Sequence, residues 1–121
     1  MKNLNARDLR ISNWVNLHKD NNPNVFKPYQ IDSGFDLYKL DESNCYDISP
    51  IHLTEDILLK WCGATKLKAK SGFIASYKLG RLTINVSSSL NYYYRGKVYN
   101  NLHQLQNLYE ILEQEELKIN L

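Results

Sequence analysis

Cysteine is scarce in this sequence, with two residues, Cys45 and Cys62, among 121. They stand far apart and outside any CxxC context. That excludes a metal knuckle or dithiol redox motif and predicts reduced, buried thiols in an intracellular protein. Histidine is as sparse: His18, His52 and His103 show neither HxH nor HExxH spacing, so no zinc site is implied. No apolar run approaches the roughly 20 residues of a membrane span. The opening MKNLNARDLR has no apolar core of secretory length, so a soluble protein without membrane contact is expected. Charge of one sign is missing too. Fifteen Lys and Arg against thirteen Asp and Glu leave a net +2, less than the basic surplus of a duplex-gripping protein. GxSxG, the P-loop and GxGxxG are absent, and the acidic residues of DESN, TED and EQEE sit near turns and helix ends. The expectation is a non-enzyme with no cofactor.

What the sequence does have is a clear apolar rhythm, with 43% hydrophobic residues, enough for one core in a single domain over residues 1–121. LRISNWVNL (Leu9–Leu17) alternates like a strand, interrupted near Ser12 and Asn13, where a bulge is predicted. HKDNNPN reads as a loop. VFKPYQI (Val25–Ile31) is strand-like, and Pro28 assigns it to an edge. A turn at DSG, a strand FDLYKL (Phe35–Leu40), a turn at DESN and a short strand CYDI complete a small curved β-meander. PIHLTEDILLKWCGA then carries helix punctuation. Thr54 is the candidate N-cap, Glu55 and Asp56 occupy the first turn, Ile57, Leu58 and Trp61 form the stripe, and Gly63 terminates in a left-handed conformation.

Beyond the basic TKLKAKSG, two hairpins follow. FIASYKL and RLTINVSSSL join near Gly80, and NYYY and KVY join at Arg95-Gly96, an X-Gly pair between β-rich runs. NNLHQLQNLYEILEQ places Leu102, Leu105, Leu108, Tyr109 and Leu112 at helical spacing, capped by Asn100 or Asn101. The tail LKINL alternates and is predicted to return as a strand. The fold class is α+β: a small, strongly bent antiparallel sheet with an SH3-like first half, a short middle helix and a longer C-terminal helix.

Four of the nine tyrosines lie in NYYYRGKVYNN, with Arg95 and Lys97 at its tip. In a strand Tyr92 and Tyr94 face one way and Tyr93 the other. Lys66, Lys68, Lys70, Lys78 and Arg81 add cations to the same third of the chain. Rings and cations together suit a nucleotide, whose base stacks while its phosphate pairs with Lys or Arg. The same residues also suit a hairpin whose tyrosines bury one face and whose lysines keep β edges soluble. The candidate ligand-binding residues are Tyr92, Tyr94, Arg95, Lys97 and Lys68, with His103. The last belongs to a polar neighbourhood with Gln106 and Asn107 at i, i+3 and i+4 of the C-terminal helix.

Three segments, ARDLRISNWV (Ala6–Val15), ISPIHLTEDILLKWCGA (Ile48–Ala64) and NNLHQLQNLYEILEQEELKI (Asn101–Ile119), carry a family resemblance. In order and spacing the chain resembles, over its whole length, a group of small proteins of phages and prophages of Bacteroidota-type bacteria. Two departures stand out: Ser12 and Gln114 each replace a glycine usual in that group. The resemblance implies an accessory protein of the host cytoplasm. Three functions stay open. One is sequestration of a small anionic ligand, such as a nucleotide immune signal, in a pocket of a homo-oligomer. The second is interaction with a host or phage protein, and the third is weak binding of single-stranded nucleic acid.

Overall fold

A computed structural model describes residues 9–18, 26–31 and 47–120. The chain divides into two compact units, Met1–Ile51 and His52–Leu121. The fold is α+β and its strand pairs are antiparallel, distributed between two sheets.

The first unit holds β1 (Trp14–His18), β2 (Phe26–Gln30) and β3 (Asp47–Ser49) in the order β2-β1-β3. Pro28 assigns β2 to an edge, and among the described residues β2 pairs with β1 alone, because proline has no N–H to give to a second neighbour. Val15, Ile31, Ile48 and Leu9 form the core, with Leu17 and Tyr29 packed against it. The strand predicted from Leu9 begins only at Trp14. Its interruption is a tight turn rather than a bulge. Ser12 has φ 79°, and its N–H donates to the Ile31 carbonyl at 2.6 Å while its carbonyl accepts from Gln30 Nε2 at 3.3 Å. The turn sends Ile11 outward, 48% exposed, while Asn13, 2% exposed, shares the buried parity of Leu9 and Val15. Asn13 can enter because its Oδ1 accepts the Arg10 N–H at 2.7 Å. His18, assigned to a loop from sequence, ends β1, and its Nε2 lies 2.7 Å from Ser49 Oγ. The rest of the predicted loop, the turns at 32–34 and 41–44, the strand Phe35–Leu40 and Cys45 lie outside the described residues. The SH3-like closure, which needs them, lies there too.

The second unit is a five-stranded up-and-down sheet: β4 (Thr65–Leu67), β5 (Ala75–Leu79), β6 (Leu82–Val86), β7 (Tyr92–Tyr94) and β8 (Lys97–Val98). Alternation sorts its faces. Tyr77 opposes Ile84, Leu79 opposes Leu82 and Val86 opposes Tyr92, a buried apolar face. On the other face Ser76 opposes Asn85, Lys78 opposes Thr83, and Asn85 opposes Tyr93. Both hairpin turns fall where expected. Arg95 (φ 49°) and Gly96 (φ 81°) both take the positive φ of a type I′ turn, whereas at Gly80-Arg81 only Gly80 does (φ 59°). A Cβ on Gly80 would meet Glu113 Oε1 at 2.8 Å, because that carboxylate accepts the Arg81 N–H. β4, basic and polar in sequence, is an exposed edge strand, where lysines discourage further pairing.

The middle helix starts at Thr54, whose Oγ1 accepts the Ile57 N–H at 3.2 Å, and Gly63 follows it at φ 73°. Over Ile57–Trp61 it widens into a π-turn, with Cys62 N–H reaching the Ile57 carbonyl at 3.0 Å. Helix α1 (Leu102–Glu113) is capped at Asn101, whose N–H donates to Gln104 Oε1. Asn100 serves the hairpin base instead: its Oδ1 accepts the Tyr92 N–H and its Nδ2 donates to Asn91. The helix buries Leu102, His103, Leu105 and Gln106, while Leu112, expected in the stripe, is exposed. It ends at Gln114 in the left-handed region (φ 58°), with an N–H bond to Glu110 O. The tail forms no strand. Leu117 is buried and Asn120 N–H donates to the Trp61 carbonyl at 2.8 Å.

Candidate functional site

The polar face of the second sheet carries an open groove of about 730 Å³. Its floor follows from the alternation of β6. Leu82, Ile84 and Val86 point to the core, so Thr83, Asn85 and Ser87 lie on the opposite face with the groove. Tyr93, opposite Asn85 on β7, joins them. The walls come from connections. The β5–β6 and β7–β8 turns lie at one end of an up-and-down sheet and supply Arg81 at the first, Tyr94, Arg95 and Gly96 at the second. The β4–β5 connection, at the other end, supplies Lys70 and Phe73.

That connection is held by backbone geometry. Phe73 N–H closes a turn onto Lys70 O at 2.9 Å, Ile74 N–H bonds Val86 O at 2.8 Å, and Lys70 N–H donates to Ser76 Oγ at 3.1 Å. Lys70 is thereby anchored beside Ser76 and Asn85. Arg81 stands four residues from Asn85 along β6, about 13 Å at ~3.3 Å per residue. Cations therefore flank the groove at both ends.

The rings are arranged in pairs. Phe73 and Tyr93 centroids are 6.1 Å apart and tilted by 53°, and the Arg95 guanidinium carbon is 5.6 Å from the Tyr94 ring centroid. Among the described residues, Lys70, Arg81 and Arg95 are the charged lining residues, and no carboxylate is in the lining. The nearest acidic partner is Glu113, 3.9 Å from Arg81 Nε on a side chain that remains 85% exposed. At the floor, Ser76 Oγ donates to Asn85 Oδ1 at 2.6 Å.

Of the six residues expected to bind ligand, Tyr94 and Arg95 line this groove. Tyr92 does not: it is 7% exposed in the apolar row beside Val86, and burial raises its phenol pKa. Its place as an available ring falls to Tyr93. His103 is 4% exposed on the buried side of α1, away from solvent. Lys68 and Lys97 are exposed but lie outside the lining, and the Lys97 ammonium sits 5.7 Å from the Tyr99 ring centroid. Phe73, Tyr93, Thr83, Asn85 and Ser87 were missed. The alternating polar set of RLTINVS was the signal that could have found four of the groove's residues, Arg81, Thr83, Asn85 and Ser87.

A second charged cluster lies apart from the groove. Glu55 accepts from Lys66 and from the Tyr77 hydroxyl at 2.9 Å, and these bonds hold its carboxyl below the usual range. Burial, then Glu55, pushes the Tyr77 phenol up to about 12. Among the described residues no three His, Cys, Asp or Glu side chains converge as a metal site, and no helix is long and apolar enough to cross a membrane. No protein-family model, curated protein or solved structure matches this chain.

Proposed function

We propose that the groove binds a nucleotide-type anion, base against the rings and phosphate against the cations, without catalysing a reaction. One observation carries this reading: three cations, three aromatic rings and a hydroxyl- and amide-bearing floor line one groove, with no carboxylate residue in that lining among the described residues. Stacking on an aromatic ring is worth roughly 1–3 kcal/mol per base, and a charge-assisted phosphate contact roughly twice a neutral hydrogen bond. Two rings and one guanidinium within reach of one ligand suffice for measurable affinity. The resemblance to phage proteins extends the proposal to sequestration of a nucleotide signal of host defence, a role that needs tight binding and no chemistry.

The test is calorimetric titration with uridine monophosphate (UMP), uridine and inorganic phosphate at low and high salt. The expected result is binding of UMP that weakens with salt, with uridine and phosphate each much weaker. Absence of UMP binding, or binding unchanged in the folded Lys70→Ala/Arg81→Ala/Arg95→Ala variant, overturns the reading.

The cations at both ends of the groove favour a second reading, a single strand laid along the sheet with a phosphate at each end. Affinity for oligouridylates that rises with length beyond the mononucleotide supports it over a mononucleotide site.

A further inference from the structure

The floor of the groove contains a side chain whose orientation is dictated from beneath. Ser76 is 2% exposed, and its Oγ already accepts the Lys70 N–H at 3.1 Å. Its own hydroxyl hydrogen, shut off from water, needs an acceptor, since a buried donor left unpaired is costly. Asn85 Oδ1 at 2.6 Å is that acceptor. The bond settles which end of the Asn85 carboxamide is which: the oxygen is occupied at the sheet, and the Nδ2 amine is the end left for the groove that Asn85 lines. Tyr93 stands directly across from Asn85 on β7, with Phe73 beside it, so a base stacked on these rings lies within reach of the amine.

We infer that Asn85 is a specificity-determining residue that reads the acceptor edge of the bound base, favouring a base with ring carbonyls, such as uracil, over adenine. This rests on the nucleotide reading above. A carboxamide with both ends free pairs with adenine by two bonds, accepting from its exocyclic amine and donating to its ring nitrogen. With Oδ1 drawn to Ser76 at the sheet, that bidentate pair is disfavoured. Asn85 presents its two N–H donors to the groove, and a carbonyl oxygen with two lone pairs suits them best. Thr83, on the same face, carries a hydroxyl that can donate as well, whereas Ser87 Oγ already accepts the Asn91 N–H and lies 2.9 Å from Ser89 Oγ. The buried hydroxyl of Ser76 acts as a positioning group, setting the choice without touching the ligand.

The test compares UMP and AMP by calorimetry on the whole chain and on Asn85→Ala and Ser76→Ala, each checked for folding by its thermal melt. The native protein is expected to prefer UMP by roughly three- to tenfold, the scale of one neutral hydrogen bond. Asn85→Ala should lower UMP affinity by that factor and AMP affinity by less, narrowing the preference. Ser76→Ala frees Oδ1 and should raise AMP affinity, narrowing the preference without loss of UMP binding. A UMP/AMP ratio that is the same in the native protein and in Asn85→Ala overturns the inference while leaving the groove a nucleotide site. If the native protein binds neither nucleotide, both readings fall together. Should Asn85→Ala fail to fold, the Ser76→Ala ratio alone decides: an unchanged ratio overturns the inference.

Discussion

Arg95 holds a position that a residue chosen for stability alone would not. It is the first central residue of a type I′ turn at φ 49°, where Asn, Asp or Gly is preferred. For an ordinary side chain the left-handed region costs roughly 1 kcal/mol or more. The exposed guanidinium recovers part of that by its position 5.6 Å from the Tyr94 ring centroid, worth roughly 0.5–1 kcal/mol at a solvated site. Arg95→Asn removes both terms, and strain is the larger. Stability should rise by roughly 0–1.5 kcal/mol. The melting temperature should accordingly hold within a few degrees or rise. Ligand binding should behave differently. Loss of one charge-assisted hydrogen bond, about 1.5–3 kcal/mol, weakens UMP roughly 10- to 150-fold. The assay is paired: thermal melts for the fold, calorimetry for UMP. A drop of several degrees with unchanged UMP affinity refutes the reasoning, because Arg95 would then serve the hairpin and not the groove.

Other expectations follow from the same structure. Gln114→Gly places a residue without Cβ at the left-handed end of α1 and should stabilise by about 0.5–1 kcal/mol, read as a rise in denaturation midpoint. Gly80→Ala should destabilise by more than about 1 kcal/mol, since φ 59° and the Glu113 carboxylate 2.8 Å from the new Cβ act together. High pH should destabilise the protein. Burial raises the Cys62 thiol to about 12, and the Tyr77 phenol also stands near 12, so the folded chain keeps protons that the unfolded chain releases above about 9 and 10. Stability is therefore full below pH 9 and falls between about pH 9 and 12. Tyr77→Phe should flatten the upper part of that fall in a urea-denaturation series.

The elements most legible in the sequence are those whose signal is local. Arg95-Gly96 announces its turn because only certain residues tolerate positive φ, and the alternation from Arg81 to Ser87 contains both the core face and the groove floor of β6. The ring that reaches the groove was not legible in the same way. Tyr92 and Tyr93 are equivalent in composition, and only the pairing of Tyr92 with Val86 tells which one enters the core. β4 was hidden because an exposed edge strand has no apolar alternation to betray it. The order β2-β1-β3 is set by a long-range pairing of Leu17 with Ile48 that no window of sequence contains. His103 and Gln106 read in sequence as one polar neighbourhood of the helix. They are inside because helical spacing fixes which residues share a face, but not which face is covered.

The Glu113 carboxylate gives the groove a reporter on the opposite side of the hairpin. Its Oε1 takes the backbone N–H of Arg81, a residue that lines the groove, while the Gln114 N–H closes the helix onto Glu110. A ligand that stills the Gly80-Arg81 turn therefore also stills the last turn of α1. By reciprocity, fraying of that turn loosens the ligand's grip by the same free energy. Amide exchange at Glu113 and Gln114, residues that never meet the ligand, should slow on saturation of the groove.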